Sequence, residues 1–426
     1  MTAGAGRPIR PGIGGHRHTN MDDHWNTMGC DPGGTYHNGG TDGASDLERA
    51  WTRDVDDPSA VVAAGTIVAA CANRRVEAFD LDGSRLWSYS HPDREDAYAV
   101  TYDYLDGTGA YGSNPAVVDG SVYHVVNDRL VALDLADGAE EWHVTLDTAE
   151  GVPMSGGLRA DDRGSLFVAY KDALYRVDTG PGAVGWSDTG MERGELPVLG
   201  RDGTVVQEVE RDTLRAVDPL TGRERWTDTE ETVDVPGTRM AVDGGTVFAT
   251  QFNVPTVRAM DAETGRLEWS RDATYHWLVP DTAADRVFAI RDGEQLAALD
   301  STTGSVRWTV ALDDDESPLR SARENLYLAA DRRIVRRDPA SGAVRERSPD
   351  VGFEIRSFLV DDCGLVVAGD EHLALLTGDE RTDGDTGDEA EPTGESGPSF
   401  CPGCGADLDA YGSLNFCPEC GRELSP

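Results

Sequence analysis

Lysine is almost missing from this chain. Lys171 is the only one in 426 residues, and the 38 basic residues are otherwise arginines facing 78 Asp and Glu, for a formal charge of −40. Sequence-independent binding to nucleic acid needs several cationic phosphate contacts, and this balance argues against it. Dense carboxylates keep a surface hydrated where salt shortens the Debye length to about 3 Å near 1 M, so the acidity reads as adaptation to a salt-loving cell. Long apolar runs are missing too. None approaches the ~20 residues of a membrane span, and the opening MTAGAGRPIRPGIGGHRH lacks the apolar stretch of a secretory signal, so neither a membrane span nor export is expected. Cysteine is sparse: seven, of which four form two CxxC pairs, a pattern suited to a reducing cytoplasm rather than a disulfide framework.

What the chain has in abundance is one phrase. LVALDLADGAEEWHV, LRAVDPLTGRERWTD, VRAMDAETGRLEWS and LAALDSTTGSVRWTV share a frame D-x3-G-x3-W, set at Asp134/Gly138/Trp142, Asp218/Gly222/Trp226, Asp261/Gly265/Trp269 and Asp300/Gly304/Trp308, and the frame recurs at Asp178/Gly182/Trp186. FDLDGSRLW, with Asp80 and Trp87, is one residue shorter, and RDPASGAVRER keeps Asp338 and Gly342 but has Glu346 in the Trp place. The Trp spacing is close to the ~40–45 residues of a four-stranded propeller blade, with a longer first interval that contains an insertion at about 91–113.

Within a unit, GTVFAT and VYHVV alternate with period two and are rich in β-formers, while AETG and LTG supply turns. Each unit therefore reads as an antiparallel meander that cannot bury both faces alone and needs neighbours. The repeated Trp is the docking residue between blades, at a gross ~4–6 kcal/mol each for 150–250 Å² buried. Asp80, Asp134, Asp218, Asp261 and Asp300 read as turn carboxylates. Units starting near 58, 114, 155, 194, 236, 277 and 317 are followed by FEIRSFLVDDCGLVVAGDEHLALL, which lacks a last strand; LERAWTRD, with Trp51, is a spare strand at the beginning. The expected fold is all-β: an eight-bladed β-propeller of four-stranded antiparallel blades closed by an N-terminal strand, plus a small C-terminal zinc ribbon.

The L-x-A-x-D-x-x-x-G-x-x-x-W phrase resembles the pyrroloquinoline-quinone-like (PQQ-like) β-propeller repeat, and WNTMGCDPGGTYHN from Trp25 is similar to the W-x-x-x-G-x-D-x-x-x-T lead-in found ahead of such propellers. The resemblance covers about 25–377. It implies a fold more than an activity, since such propellers include quinoprotein dehydrogenases and assembly scaffolds. The dehydrogenases hold PQQ on the axis with calcium, an Asp base and a disulfide of adjacent cysteines. Here Cys30, Cys71 and Cys363 are far apart, and PQQ is not expected.

CPGCGADLDAYGSLNFCPECG places Cys401, Cys404, Cys417 and Cys420 as C-x2-C-x12-C-x2-C. Two knuckles of this kind supply four thiolates for a closed, structural Zn²⁺ site, with a redox CxxC pair as the competing reading. A unit of ~27 residues has too little apolar surface to fold without its metal. The domain reading is then a Gly/His-rich, partly disordered lead-in over 1–46, the propeller over 47–377, an acidic flexible linker over 378–399 and the ribbon over 400–426.

Weaker signals remain. The GTGAYG run (107–112) leads into Ser-Asn-Pro where a dinucleotide site needs a helix, and reads as loop. Tyr98, Tyr102, Tyr104 and Tyr111 make the insertion either a recognition surface or a cap over one face. His16, His18, His24 and His37 lie near Cys30; scattered histidines in a disordered segment is the favoured reading over a metal site. DRRIVRRDP (331–339) reads as a half-exposed strand whose arginines solvate a blade and pair with nearby acids. The functional expectation is a monomeric, non-catalytic, cytoplasmic scaffold binding a protein partner; the alternative is a quinoprotein-like dehydrogenase with a small-molecule site on the axis.

Overall fold

The structure, a computed structural model, describes Asp31 and residues 34–379 apart from 72–73, 93–114, 127, 148–152, 162, 171–172, 190–196, 201–202, 211–212, 230–237, 252–255 and 314–315. The chain divides into two units, Met1–Glu380 and Arg381–Pro426, and the second lies outside the described residues.

Seven consecutive meanders form blades 1 to 7, at 59–90, 116–145, 153–189, 198–229, 238–271, 275–311 and 316–347. Their first strands open beside the starts expected from the repeat. Blade 8 takes three strands from 357–379 and its fourth from the other end of the chain: Ser45–Asp54 pairs antiparallel with His372–Asp379, with Trp51 opposite Leu375. First strands of neighbouring blades touch along the axis, and that of blade 8 touches those of both blade 7 and blade 1, which closes the ring.

The buried apolar side chains fall into clusters that mostly bridge consecutive blades, such as Leu130 with Leu158 between blades 2 and 3, and Phe248 with Val287 between blades 5 and 6. A single twisted sheet leaves a greasy face, and the next blade covers it. The frame Trp seals the outer end of each junction. Its Nε1–H donates to the carbonyl of the residue after the frame Asp in the following blade: Trp51 to Leu81, Trp87 to Leu135, Trp142 to Thr179, Trp186 to Pro219, Trp226 to Ala262 and Trp269 to Ser301, all at 2.8–2.9 Å. The ring then lies flat on the frame Gly. Gly304 shows why the glycine is needed: its φ is +66°, and a Cβ there would come within 2.5 Å of Trp269 Cε3.

The exception in the repeat has a structural cause. Blade 8 is built from two chain ends, so it lacks the third-to-fourth-strand turn on which a Trp would dock. Blade 7 places Glu346 there instead, and its carboxylate accepts the backbone N–H groups of Asp46 (3.0 Å) and Leu47 (2.7 Å) on the closing strand.

Candidate functional site

The frame carboxylates, one in each of blades 1 to 7, sit at their own turns. Asp218, Asp261 and Asp300 each accept a backbone N–H and a hydroxyl from the Thr three residues on, and Asp134 accepts N–H groups from Ala136 and Asp137. Asp80 accepts from Ser84 N–H. Arg307 and the Thr303 hydroxyl hold Asp300 at about 2, and the Thr221 and Thr264 hydroxyls lead the same downward shift at Asp218 and Asp261. At Asp218, Asp261 and Asp300 a carboxylate kept ionised by turn donors is a poor general base, and all five groups act as turn closures.

The axis holds a less expected arrangement. Thr35 donates its N–H and its hydroxyl to the two Asp31 oxygens at 3.0 and 2.8 Å, so the D-x-x-x-T part of the lead-in forms a local turn. Arg159, on the first strand of blade 3, donates to Asp31 O at 2.8 Å. A few residues on, His37–Asn38 pairs parallel with the first strand of blade 7, His37 Nδ1 lies 2.7 Å from Ser321 Oγ, and Asn38 Nδ2 donates to Val360 O of blade 8 at 2.9 Å. Blades 3 and 7 are half a ring apart, so a segment that touches both crosses the bore. Asp31 and residues 34–38 thus form a strap over the axial mouth at the C-terminal ends of the first strands.

Arginines and aromatics hold the strap. Arg320 of blade 7 stacks its guanidinium 4.2 Å from the Tyr36 ring centre, with Trp277 and Phe358 at 5.3 and 5.6 Å, and Tyr36 meets Trp277 edge-on at 6.1 Å. His37 Nε2 lies 3.7 Å from Asp281, but burial outweighs that carboxylate and lowers the imidazole pKa, so His37 serves as a neutral hydrogen-bonding group. Burial pushes Asp31 up to about 6 against the donors from Thr35.

His37 therefore corrects the reading of scattered, disordered histidines, because it is a half-buried member of the strap, paired with blade 7. His16, His18, His24 and Cys30 lie outside the described residues, as do Tyr98, Tyr102, Tyr104, Tyr111 and all four ribbon cysteines. The basic patch is corrected in part: its arginines pair with nearby acids as expected, but two of them are not solvated. Arg336 and Arg337 are buried: Arg336 pairs with Glu346 at 2.9 Å and Arg337 with Glu316 at 2.6 Å, because alternate positions of an inner strand face neighbouring blades. Arg159 and Arg320 escaped notice in the sequence. The signal was there, an arginine within the apolar first-strand runs LRA and LRS.

Among the described residues no three His, Cys, Asp or Glu side chains come together as a metal site. At the strapped mouth the chain's own His37 and Asn38 reach blades 7 and 8 across the axis. Burial pushes the Cys71 and Cys363 thiols up to about 12, which leaves neither a nucleophile. The blade 1–2 junction buries His91 against His124, ring nitrogens 2.9 Å apart, and burial pulls His91 down to about 2, so it stays neutral. A polar cleft of about 420 Å³ between blades 5 and 6 is lined by Thr246, Arg266, Glu268, Thr282 and Asp285 among others.

These features define a Trp-docked, eight-bladed β-propeller with a strapped axis. The chain belongs to the PQQ-like repeat family whose model is described as outer membrane protein assembly factor BamB, matched over residues 42–150, 126–234 and 210–356. Among solved structures it is similar to BamB from Moraxella catarrhalis (17% identity, 80% of this chain and 100% of that one, TM-score 0.62). It is similar as well to quinohemoprotein alcohol dehydrogenase from Comamonas testosteroni (14%, 88% and 83%, TM-score 0.65) and to the computationally designed Ika8 protein (16%, 79% and 99%, TM-score 0.62). At these identities the likeness is one of fold. Comparison with curated proteins finds no match. No helix among the described residues is long and apolar enough to cross a membrane.

Proposed function

We propose that the protein is a non-catalytic binding or assembly scaffold, a propeller carrying a tethered structural zinc ribbon for contact with a protein partner. The observation that carries this reading is the strap: chain residues lie where a ring of this kind would otherwise open to a small molecule, and the frame carboxylates are committed to turns. A family model named for an assembly factor supports it. In the ribbon, Cys401, Cys404, Cys417 and Cys420 would hold Zn²⁺ in a closed four-thiolate site. The CxxC pairs favour a reducing, cytoplasmic setting.

The test is affinity purification from native-salt lysate with the full chain and with a chain ending at residue 378. The expected result is a specific protein partner captured by the full chain and lost on truncation. Capture of none by either form counts against the scaffold reading.

The second reading, a quinoprotein-like dehydrogenase, is favoured by the fold likeness to an alcohol dehydrogenase over 88% of this chain. Mass and absorbance measurements for a co-purified quinone separate the two.

A further inference from the structure

Asp31 and residues 34–54 reach the ring from outside the blade-by-blade meander, and only noncovalent contacts seat them. The closing strand Ser45–Asp54 pairs with His372–Asp379, and Trp51 docks on Gly83 of blade 1. Blade 7 holds the stretch before it through its backbone. Arg323 donates to Gly39 O at 3.0 Å, Asn325 to Asp42 O at 2.7 Å and Tyr327 to Ala44 O at 2.8 Å, and Glu346 then accepts from Asp46 and Leu47. Every one of these contacts could be made by the same segment of another copy.

The link from this element to blade 1 is residues 55–58, and it is held tightly. Val55 N–H donates to Glu371 O and Asp57 N–H to Asp370 O, while Asp57 sits at φ +45°, a left-handed conformation unusual for a residue with a Cβ. Burial and the facing Asp370 carboxylate both disfavour the charge on Asp57. A short hinge under strain invites exchange, because an extended hinge relieves the strain while all other contacts are remade.

We propose that residues 31–54 are an exchangeable closing element. Released together at the 55–58 hinge, they seat on the ring of a second copy of this chain and close it with the same contacts, giving a strand-exchanged dimer. Four extended hinge residues reach about 13 Å, so in the exchanged pair Asp54 of one copy must lie near Ser59 of the other, with the rings' hinge-bearing faces together. Two chains of charge −40 repel each other, so exchange rises with salt as that repulsion is screened.

Glu48 and Thr377 are partners across the closing pair. Full-length chain carrying Glu48→Cys, with one affinity tag, is mixed with full-length chain carrying Thr377→Cys and a second tag, incubated at native salt, then oxidised. The expected product is a disulfide between the two tags' chains at these two positions. It increases with protein concentration, is enhanced when Asp56 and Asp57 are deleted, and is lost when Gly-Ser-Gly-Ser is inserted before Pro58. Co-capture of two differently tagged chains without added cysteines reads the same exchange when it, too, rises on deletion of Asp56 and Asp57 and falls on the Gly-Ser-Gly-Ser insertion. Failure of both assays, in the parent and in the shortened-hinge chain, overturns the proposal. So does a cross-link whose yield ignores hinge length, since that reports surface association.

Discussion

The carboxylate of Glu346 accepts the backbone N–H of Leu47 at 2.7 Å, joining residues 299 positions apart in the chain. Its second oxygen takes the N–H of Asp46 and is 2.9 Å from Arg336 Nε. Burial raises its pKa, but these donors outweigh it and leave the net shift downward, so the group stays ionised where it meets the closing strand. A tryptophan at 346 would have no turn to rest on, and the two N–H groups would lose their acceptor.

Glu346→Trp is therefore expected to destabilise the seam although it completes the repeat. Hydrogen bonds to a charged group are worth about 1.5–3 kcal/mol, and Glu346→Gln, which keeps one acceptor oxygen, should lose less. Amide hydrogen exchange is the measurement: Asp46 and Leu47 should exchange faster in Glu346→Trp, while the fourth strand of blade 5, Leu267–Arg271, stays as protected as in the parent.

At an ordinary junction the aromatic carries the burden. Trp269→Ala should cost about 3–5 kcal/mol in the denaturant midpoint, and Trp269→Phe, which keeps a ring but drops the bond to Ser301 O, about 1–2 kcal/mol. Gly304→Ala should destabilise as well, through a positive φ and a Cβ that collides with the indole. Combining it with Trp269→Ala should recover part of that loss, because the collision is gone.

Asp57 should have an inverted pH response. Its folded pKa is pushed up to about 6, first by burial and then by Asp370, above an unfolded value of 3.8. Its favourable contribution is complete below 3.8 and disappears as pH rises through about 6. Asp57→Asn should thus raise stability at pH 7 and flatten the pH dependence between about 4 and 6, as read from melting temperature across that range.

Asp300 should behave the opposite way. Arg307 and Thr303 depress it to about 2, so its stabilisation is present above 3.8 and is lost as pH falls through about 2. Asp300→Asn should be destabilising at pH 7 and indistinguishable from the parent near pH 2. An acid titration followed by circular dichroism checks it.

The ribbon proposal predicts one zinc per full-length chain by elemental mass spectrometry. Cys404→Ser or Cys417→Ser should lower the metal content, and a chain ending at residue 378 should carry none while keeping the propeller's melting transition.

The propeller was legible because its rule is local and repeated. Asp, Gly and Trp at a set spacing encode a turn, a positive φ and a docking ring, and the lone Trp51 strand with an unfinished last unit pointed to closure. The odd Glu346 was visible as an exception, but its meaning was not, since it depends on a strand near the other end of the chain. Likewise DRRIVRRDP looks solvated as a string, and only the stacking of blade 7 on its neighbours buries Arg336 and Arg337 against Glu346 and Glu316.

The sequence by itself determined the blade, the number of blades and the strand that closes them, because short-range hydrogen bonding and alternation are written into consecutive residues. Only the tertiary structure decided that Asp31 lies by blade 3 while His37 and Asn38 lie by blades 7 and 8, across the bore. Arg159 and Arg320 lie far apart in the chain and become opposite walls of one opening when the ring is complete, and the physics of the strap resides in that distance.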